Sequence, residues 1–267
     1  MNSKERQEII ARSPISFPYL KRFNTAAGIL HLVQGILMLA LGFLLNWPLT
    51  LYTSYLKVGP LPWEPSVQPL FSFNNLGIIL ASFPLISAVA HFTIAYPKNR
   101  DYNENLKKGM NPYRWYEYAF SSSIMIALIS TFAGILDFWS LTMIFLLNAM
   151  MIMFGYEMEL LNQRTEKTNW SPFILGCISG GLPWVVLYAY FIGALSSSPV
   201  APPTFVYFII FIYFILFMVF AVNMVLQYKG VGRWRDYLYG ERTYIVLSFV
   251  AKTLLAWLVF SGVFMPH

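Results

Sequence analysis

Seven apolar stretches, at roughly 24–45, 74–96, 113–135, 139–161, 172–195, 204–228 and 243–264, take up most of this 267-residue chain. Each is long enough to cross a hydrocarbon core of about 30 Å as a helix, which takes about 20 residues. Only helices and closed barrels satisfy their backbone polar groups in that medium, and near-continuous apolar runs lack the alternation of a barrel strand. Composition agrees, since charged residues make up only 11% of the chain, against roughly 25% in an average soluble domain. That is too little charge to wet a globular surface, which excludes a soluble enzyme, a disordered chain and a multidomain protein on one anchor. The expected fold is an all-α membrane protein, a seven-transmembrane helix bundle. It forms a single domain over 1–267, with no internal repeat, low-complexity tract or linker.

The placement of Lys and Arg sets the orientation. The first 22 residues are polar and basic, with no apolar core ahead of a cleavage site, so they do not read as a removable signal peptide. Of eighteen Lys and Arg, sixteen lie in the N-terminal segment or around the connections after the second, fourth and sixth spans; the opposite side holds Lys57. Positive charge stays in the cytoplasm, so the expected protein is a multi-pass protein of the cell membrane, with a cytoplasmic N-terminus and an extracellular C-terminus. The net charge of +6 is thereby topology and calls for no nucleic-acid partner. Asn169-Trp170-Ser171 matches a glycosylation sequon, but on the inner side it is a chance match. Cys177, the one cysteine, has no intrachain disulfide partner.

Two connections carry further expectations. In 46–73, runs of Tyr, Thr and Val around Gly59, Pro60 and Pro62 suit a short β-hairpin over the outer mouth, and suit an irregular loop equally. The basic loop 229–237, with Lys229, Arg233 and Arg235, either docks a cytoplasmic signalling partner or is only a positive-inside anchor.

One cation is left inside a span. Lys252 lies ten residues beyond Arg242 on the seventh stretch, about 15 Å deep at 1.5 Å per residue. Snorkelling does not reach water from there, and a charged lysine at that depth costs several kcal/mol, so its default reading is functional. The matching acid is Glu117 on the third stretch, nine residues past Lys108 and therefore at a similar depth. If the two helices are neighbours, the carboxylate is a counter-ion for the buried amine; otherwise Glu117 is a solvated interfacial residue beside Arg114. An amine in an apolar pocket beside a carboxylate suits a covalent imine with an aldehyde. Ser248 and Ser121 fall one turn from Lys252 and Glu117, on the same faces. Each hydroxyl either bonds the imine site or returns to its own helix backbone.

Other in-span polar groups gather in the inner half: His31 with Gln34 on the first stretch, and Ser87 with His91 on the second. They form either a hydrated pocket that accepts a proton or a set of helix ties. Two histidines without a clustered third ligand make no convincing metal site. Aromatic residues are 18% of the chain, with Trp184 and Trp257 at mid-depth, and the inward subset would suit a flat conjugated ligand.

These features resemble the microbial rhodopsin plan, and the inverted orientation resembles the heliorhodopsins in particular. The motifs are Arg114-Trp115-Tyr116-Glu117-Tyr118 followed by Ser121-Ser122-Ser123, Ser248-Phe249-Val250-Ala251-Lys252 with Leu255-Ala256-Trp257, and His31 with Gln34 and His91. The resemblance covers all seven stretches. It implies all-trans retinal on Lys252 as a protonated Schiff base, with Glu117 as sole counter-ion and Ser121 and Ser248 near the imine. Tyr118, Met125, Asn148, Met151, Ile152 and Phe217 would border the chromophore, with Trp184 among the ring residues, while His31, Gln34, Ser87, His91 and Arg114 would form a cytoplasmic polar network. It further implies a homodimer in the lipid bilayer, joined partly through the first outer loop.

The expected function is a light sensor, since the deep ionisable groups Glu117, His31 and His91 all lie towards one face and no donor acid follows on the other. A light-driven or light-gated ion transporter on the same site is the alternative, as is a receptor without chromophore that uses a Lys252–Glu117 ion pair. An enzyme is not expected: no paired acids, metal motif or nucleophile elbow occurs.

Overall fold

The computed structural model describes residues 3–44 and 48–264. Residue 45 of the first expected span, residues 46 and 47 of the outer connection, and the two chain ends lie outside the described residues. The described chain is mostly helical, with α1 Ser3–Ala11, α2 Phe17–Leu44, α3 Leu76–Ala95, α4 Asn99–Lys107, α5 Pro112–Phe132, α6 Phe138–Leu161, α7 Ser171–Ser197, α8 Thr204–Lys229 and α9 Tyr237–Phe264. Six of these, α2, α3, α6, α7, α8 and α9, are long and apolar enough to cross a membrane, so the chain is a multi-pass membrane protein. The third expected span coincides with α5, of 21 residues. It falls short on hydropathy because it carries Arg114, Glu117 and a run of serines, all of which turn inward or lie near the helix start.

Local chemistry places the helix starts. Asn75 accepts a hydrogen bond from the N–H of Gly77 at 2.8 Å, Asn111 from that of Arg114 at 3.3 Å with Pro112 next in line, and Asp137 from that of Ser140 at 2.7 Å. Each satisfies a backbone donor that the first turn would leave open. Gly230 ends α8 at φ 66°, a conformation that costs glycine little.

The seven long helices form a ring in which α2 packs on α3, α3 on α5, α5 on α6, α6 on α7, α8 on α9 and α9 back on α2. Gly42 and Gly77 let α2 and α3 approach so closely that a Cβ on either would overlap the other's backbone. Between α7 and α8 the join is aromatic, with Trp184 at 5.3 Å from Phe214 and 5.4 Å from Phe217, ring centre to ring centre. The large apolar core runs through the middle of the ring, around Met38, Phe83, Met125, Ile129, Leu187, Tyr213 and Leu255. Many apolar side chains elsewhere face outwards, Ile29, Val89, Val185 and Ile215 among them, as a lipid-facing surface requires.

The connection after α2 folds as two antiparallel strands, β1 Leu49–Lys57 and β2 Glu64–Phe73, paired from Leu49 with Phe73 to Lys57 with Glu64. Trp139 at the start of α6 donates its ring N–H to Thr53 at 3.1 Å and so ties the sheet to the bundle.

Two short helices at the basic end were not foreseen in the sequence. Helices α1 and α4 close that end with a second apolar cluster, formed by Ile10, Ile15, Leu20, Ile94, Tyr102, Leu106, Tyr237 and Leu238. Ser13 after α1 donates to Asp236 at 2.5 Å. Burial there raises the Asp236 carboxyl above the ordinary aspartate range, although hydrogen bonds from Ser13 and the backbone work against it.

Candidate functional site

Helices α5 and α9 bring the deep acid and the deep base together. Lys252 Nζ lies 2.7 Å from Glu117 Oε1, and their side chains are only 3% and 8% exposed. Lys252 Nζ also donates to Ser248 Oγ, one turn earlier on α9, at 2.9 Å. Glu117 Oε1 accepts a second bond from Ser87 Oγ at 2.7 Å, from α3. The reading of Glu117 as a solvated neighbour of Arg114 therefore fails, because its carboxylate turns into the ring and meets an ammonium. An isolated charge at this depth would be costly, and pairing with two hydroxyl contacts offsets that cost. The Tyr118 ring lies beneath the amine, 5.1 Å from Nζ to its centre.

The remaining polar residues divide. Ser121 is buried beside the Glu117 carboxylate, while Ser248 is the serine that bonds Lys252 directly. His31 stacks on His91 at 5.5 Å, and neither of its ring nitrogens has a partner. His91 Nδ1 bonds Asn24 at 2.8 Å. Gln34 does not join the histidines; its amide donates to Thr253 on α9 at 2.8 Å. Trp257 is 40% exposed on the outer surface, whereas Trp184 is buried.

Arg114 lines one cavity with His91, Asn24 and Glu117, and its guanidinium bridges two further buried acids: Glu159 at 2.5 Å, from α6, and Glu241, from α9. Its Cζ lies over the rings of Tyr244 at 4.1 Å and Trp115 at 4.6 Å, where a cation is favoured. Glu159 also accepts from the Asn111 N–H, Trp115 Nε1 and Tyr237 OH. Glu241 accepts from Asn111 Nδ2 and Tyr102 OH. Neither acid figures in the sequence reading. Glu159 lies inside the fourth apolar stretch, where an acid is as costly as a lysine, and a search for in-span carboxylates as well as cations would have found it.

Two cavities meet beside Lys252. The smaller, about 60 Å³, is lined by Lys252, Ser248, Ser121, Tyr118, Met125, Met151, Ile152 and Phe217. The larger, about 700 Å³, runs from there between α6, α7 and α8; it shares Tyr118, Met151, Ile152 and Phe217 with the first and adds Trp184. Gly180 and Gly181 keep its α7 wall low. Asn148 borders neither cavity, because its amide is held by Ser122 and Ser123 at 2.8 and 3.0 Å. An amine at the end of an apolar, ring-lined slot suits a long conjugated aldehyde. Among the described residues no group of three His, Cys, Asp or Glu side chains could hold a metal.

A family model for heliorhodopsins matches residues 20–264, nearly the whole chain, while no curated protein matches it. The chain belongs to the heliorhodopsin family. Membership implies a rhodopsin-type membrane protein with a retinal chromophore, in a family of light-sensing or transport proteins and not classical enzymes. The apolar, ring-rich lining of the two cavities beside Lys252 fits such a group.

Proposed function

We propose that this member of the heliorhodopsin family is a light sensor that holds all-trans retinal on Lys252 as a protonated Schiff base, with Glu117 as counter-ion. The observation that carries the reading is the buried Lys252–Glu117 pair at 2.7 Å, with Lys252 lining an apolar cavity. Retinal supplies a polyene whose shape changes when it absorbs light. The protein supplies the rest. Glu117, fixed by Ser87, would stabilise a cation at the Lys252 nitrogen, and Ser248, which accepts from the free amine, lies beside it. Tyr118, Met125, Met151, Ile152, Trp184 and Phe217 exclude water from the slot and orient its occupant.

In this reading seven helices span the bilayer with the N-terminus in the cytoplasm, because sixteen basic residues gather on that side. A sensor is favoured over a pump because the buried charged groups Arg6, Arg114, Glu159, Glu241 and Lys252 and the two histidines all lie from the middle of the bundle to its basic end. A pump requires ionisable groups on both sides of its switch. The exposed apolar side chains of the hairpin, Leu56, Val67 and Phe71 on its strands and Trp63 in its turn, suit a homodimer contact, and the loop 229–237 suits a cytoplasmic signalling partner.

Adding all-trans retinal to the purified protein tests the core of this reading. A visible absorption band is expected for the wild type and no band for Lys252→Ala; a wild type without a band would overturn it. Illuminated vesicles are expected to show no sustained pH change, and one abolished by an uncoupler would establish the transporter instead.

A further inference from the structure

At the basic end the buried cations Arg6, Arg114 and Lys252 equal the carboxylates Glu117, Glu159 and Glu241 in number, but they are unevenly placed. Lys252 and Glu117 form one closed pair, but Arg114 faces two carboxylates, and the side chains of all three members of that cluster are no more than 4% exposed. The other buried cation, Arg6 on α1, lies across the ring of Tyr228, 4.7 Å from its centre. The remaining groups that donate to the two acids, Tyr102 from α4, Asn111 just before α5, Trp115 from α5 and Tyr237 from α9, are neutral. A local excess of negative charge so far from water is expensive, and two carboxylates around one cation relieve it by sharing a proton.

The hydrogen bonds indicate which oxygen is free to hold it. An ionised carboxylate offers about four acceptor sites. Glu159 uses all four: Oε1 takes Arg114 Nη2 at 2.5 Å and Tyr237 OH at 2.8 Å, and Oε2 takes the Asn111 N–H at 2.8 Å and Trp115 Nε1 at 2.7 Å. A proton there would displace a donor. Glu241 uses three: Oε1 takes Asn111 Nδ2 at 2.7 Å and Tyr102 OH at 3.1 Å, and Oε2 takes only Arg114 Nη1. Its open site has somewhere to point. A cavity of about 30 Å³ is lined by Glu241 together with Glu117, His91, Asn24 and Arg114, and not by Glu159. That is room for about two waters, which need about 10–15 Å³ each.

We infer that the Arg114–Glu159–Glu241 cluster is a one-proton store, with Glu241 as the residue that carries the proton at neutral pH and hands it to water in the cavity it shares with Glu117. The step is a plain proton transfer: the Glu241 O–H bond breaks, a water O–H forms, and Glu241 is left as the second carboxylate on Arg114. The store stands on the residues of the cluster alone and goes beyond the retinal-binding reading.

Infrared spectroscopy of the purified protein without added retinal tests it, through the C=O stretch of an un-ionised carboxylic acid. Ordinary glutamates ionise near pH 4.3 or so, so this band should be lost well below neutrality if the cluster holds no proton. The wild type is expected to keep the band at neutral pH and Glu241→Gln to lose it. Tyr102→Phe, which removes a donor that serves only Glu241, should move the band, while Tyr237→Phe, on the Glu159 side, should leave it in place. A wild type without the band at neutral pH, a band that survives Glu241→Gln, or one that Tyr237→Phe moves as much as Tyr102→Phe would overturn the inference. If Glu241→Gln does not fold, the wild-type spectrum and the two tyrosine variants decide. Because no retinal is present, failure here leaves the retinal-binding reading untouched, and the absence of a visible band in the retinal assay leaves this one untouched.

Discussion

Replacing Arg114 with Leu removes the cation that holds three helices together at the basic end of the bundle. The guanidinium bridges Glu159 on α6 and Glu241 on α9 from its place on α5, with its own side chain 4% exposed and theirs 2% and 1%. Breaking a buried pair by deleting one partner costs about 3–5 kcal/mol, because the other charge is left uncompensated. For a chain of 267 residues, with an unfolding entropy of about 2.1 cal/mol/K per residue, that lowers Tm by roughly 5–10 °C. The assay is thermal unfolding in detergent or lipid discs, followed by helical circular dichroism. A second substitution sharpens it. If Glu241 is already neutral, the stranded charge is that of Glu159, so Arg114→Leu with Glu159→Gln should recover about half of the loss. Full recovery is not expected, because the glutamine N–H₂ meets donors that the carboxylate had satisfied. Arg114→Leu with Glu241→Gln should recover none. An Arg114→Leu protein as stable as the wild type, or the opposite order of rescue, would refute the reasoning.

Other expectations concern the Lys252 site and the cavity beside it. Glu117→Ala leaves the Lys252 ammonium without its carboxylate, so the protein without retinal should lose about 3–5 kcal/mol of stability, and Glu117→Gln should lose less; equal stability of all three in thermal melts would show that the pair is not buried in the membrane. Gly181→Leu, where a Cβ meets nothing within 4 Å on the cavity wall, should leave the melting temperature unchanged or slightly raised, since glycine lies about 0.8–1.0 kcal/mol below alanine as a helix former and leucine only slightly below it. It should nevertheless slow or block the growth of the visible band after retinal is added, and an unchanged rate would show that retinal does not use this volume. Asn24→Leu removes the link from His91 at 2.8 Å to Tyr102 at 3.3 Å, and the stranded buried groups should cost about 1–3 kcal/mol in the same melt.

Much of the bundle was readable in the sequence because its constraint is one-dimensional. A hydrocarbon layer about 30 Å thick requires a fixed length of apolar helix, and all seven expected stretches fall on long helices, although α2 starts at Phe17 and α9 at Tyr237, six or seven residues early. Those extra turns lie in the basic end, where α1 and α4 pack beneath the bundle and a hydropathy count has no reason to continue a helix. Lys252 and Glu117 stood out for the same one-dimensional reason, as charges at depth. What a linear reading lacks is which charge meets which. Arg114 and Glu117 are three residues apart, nearly one turn of α5, and seemed to belong together, yet the helix turns one towards α6 and the other towards α3 and α9. Glu159 and Glu241, 82 positions apart, drew no attention in the sequence. Only the closing of the ring brings them onto one guanidinium, and with them the local excess of carboxylate over cation. Length and depth follow from composition along the chain; the pairing of charges depends on which helices touch, and that is decided by tertiary packing.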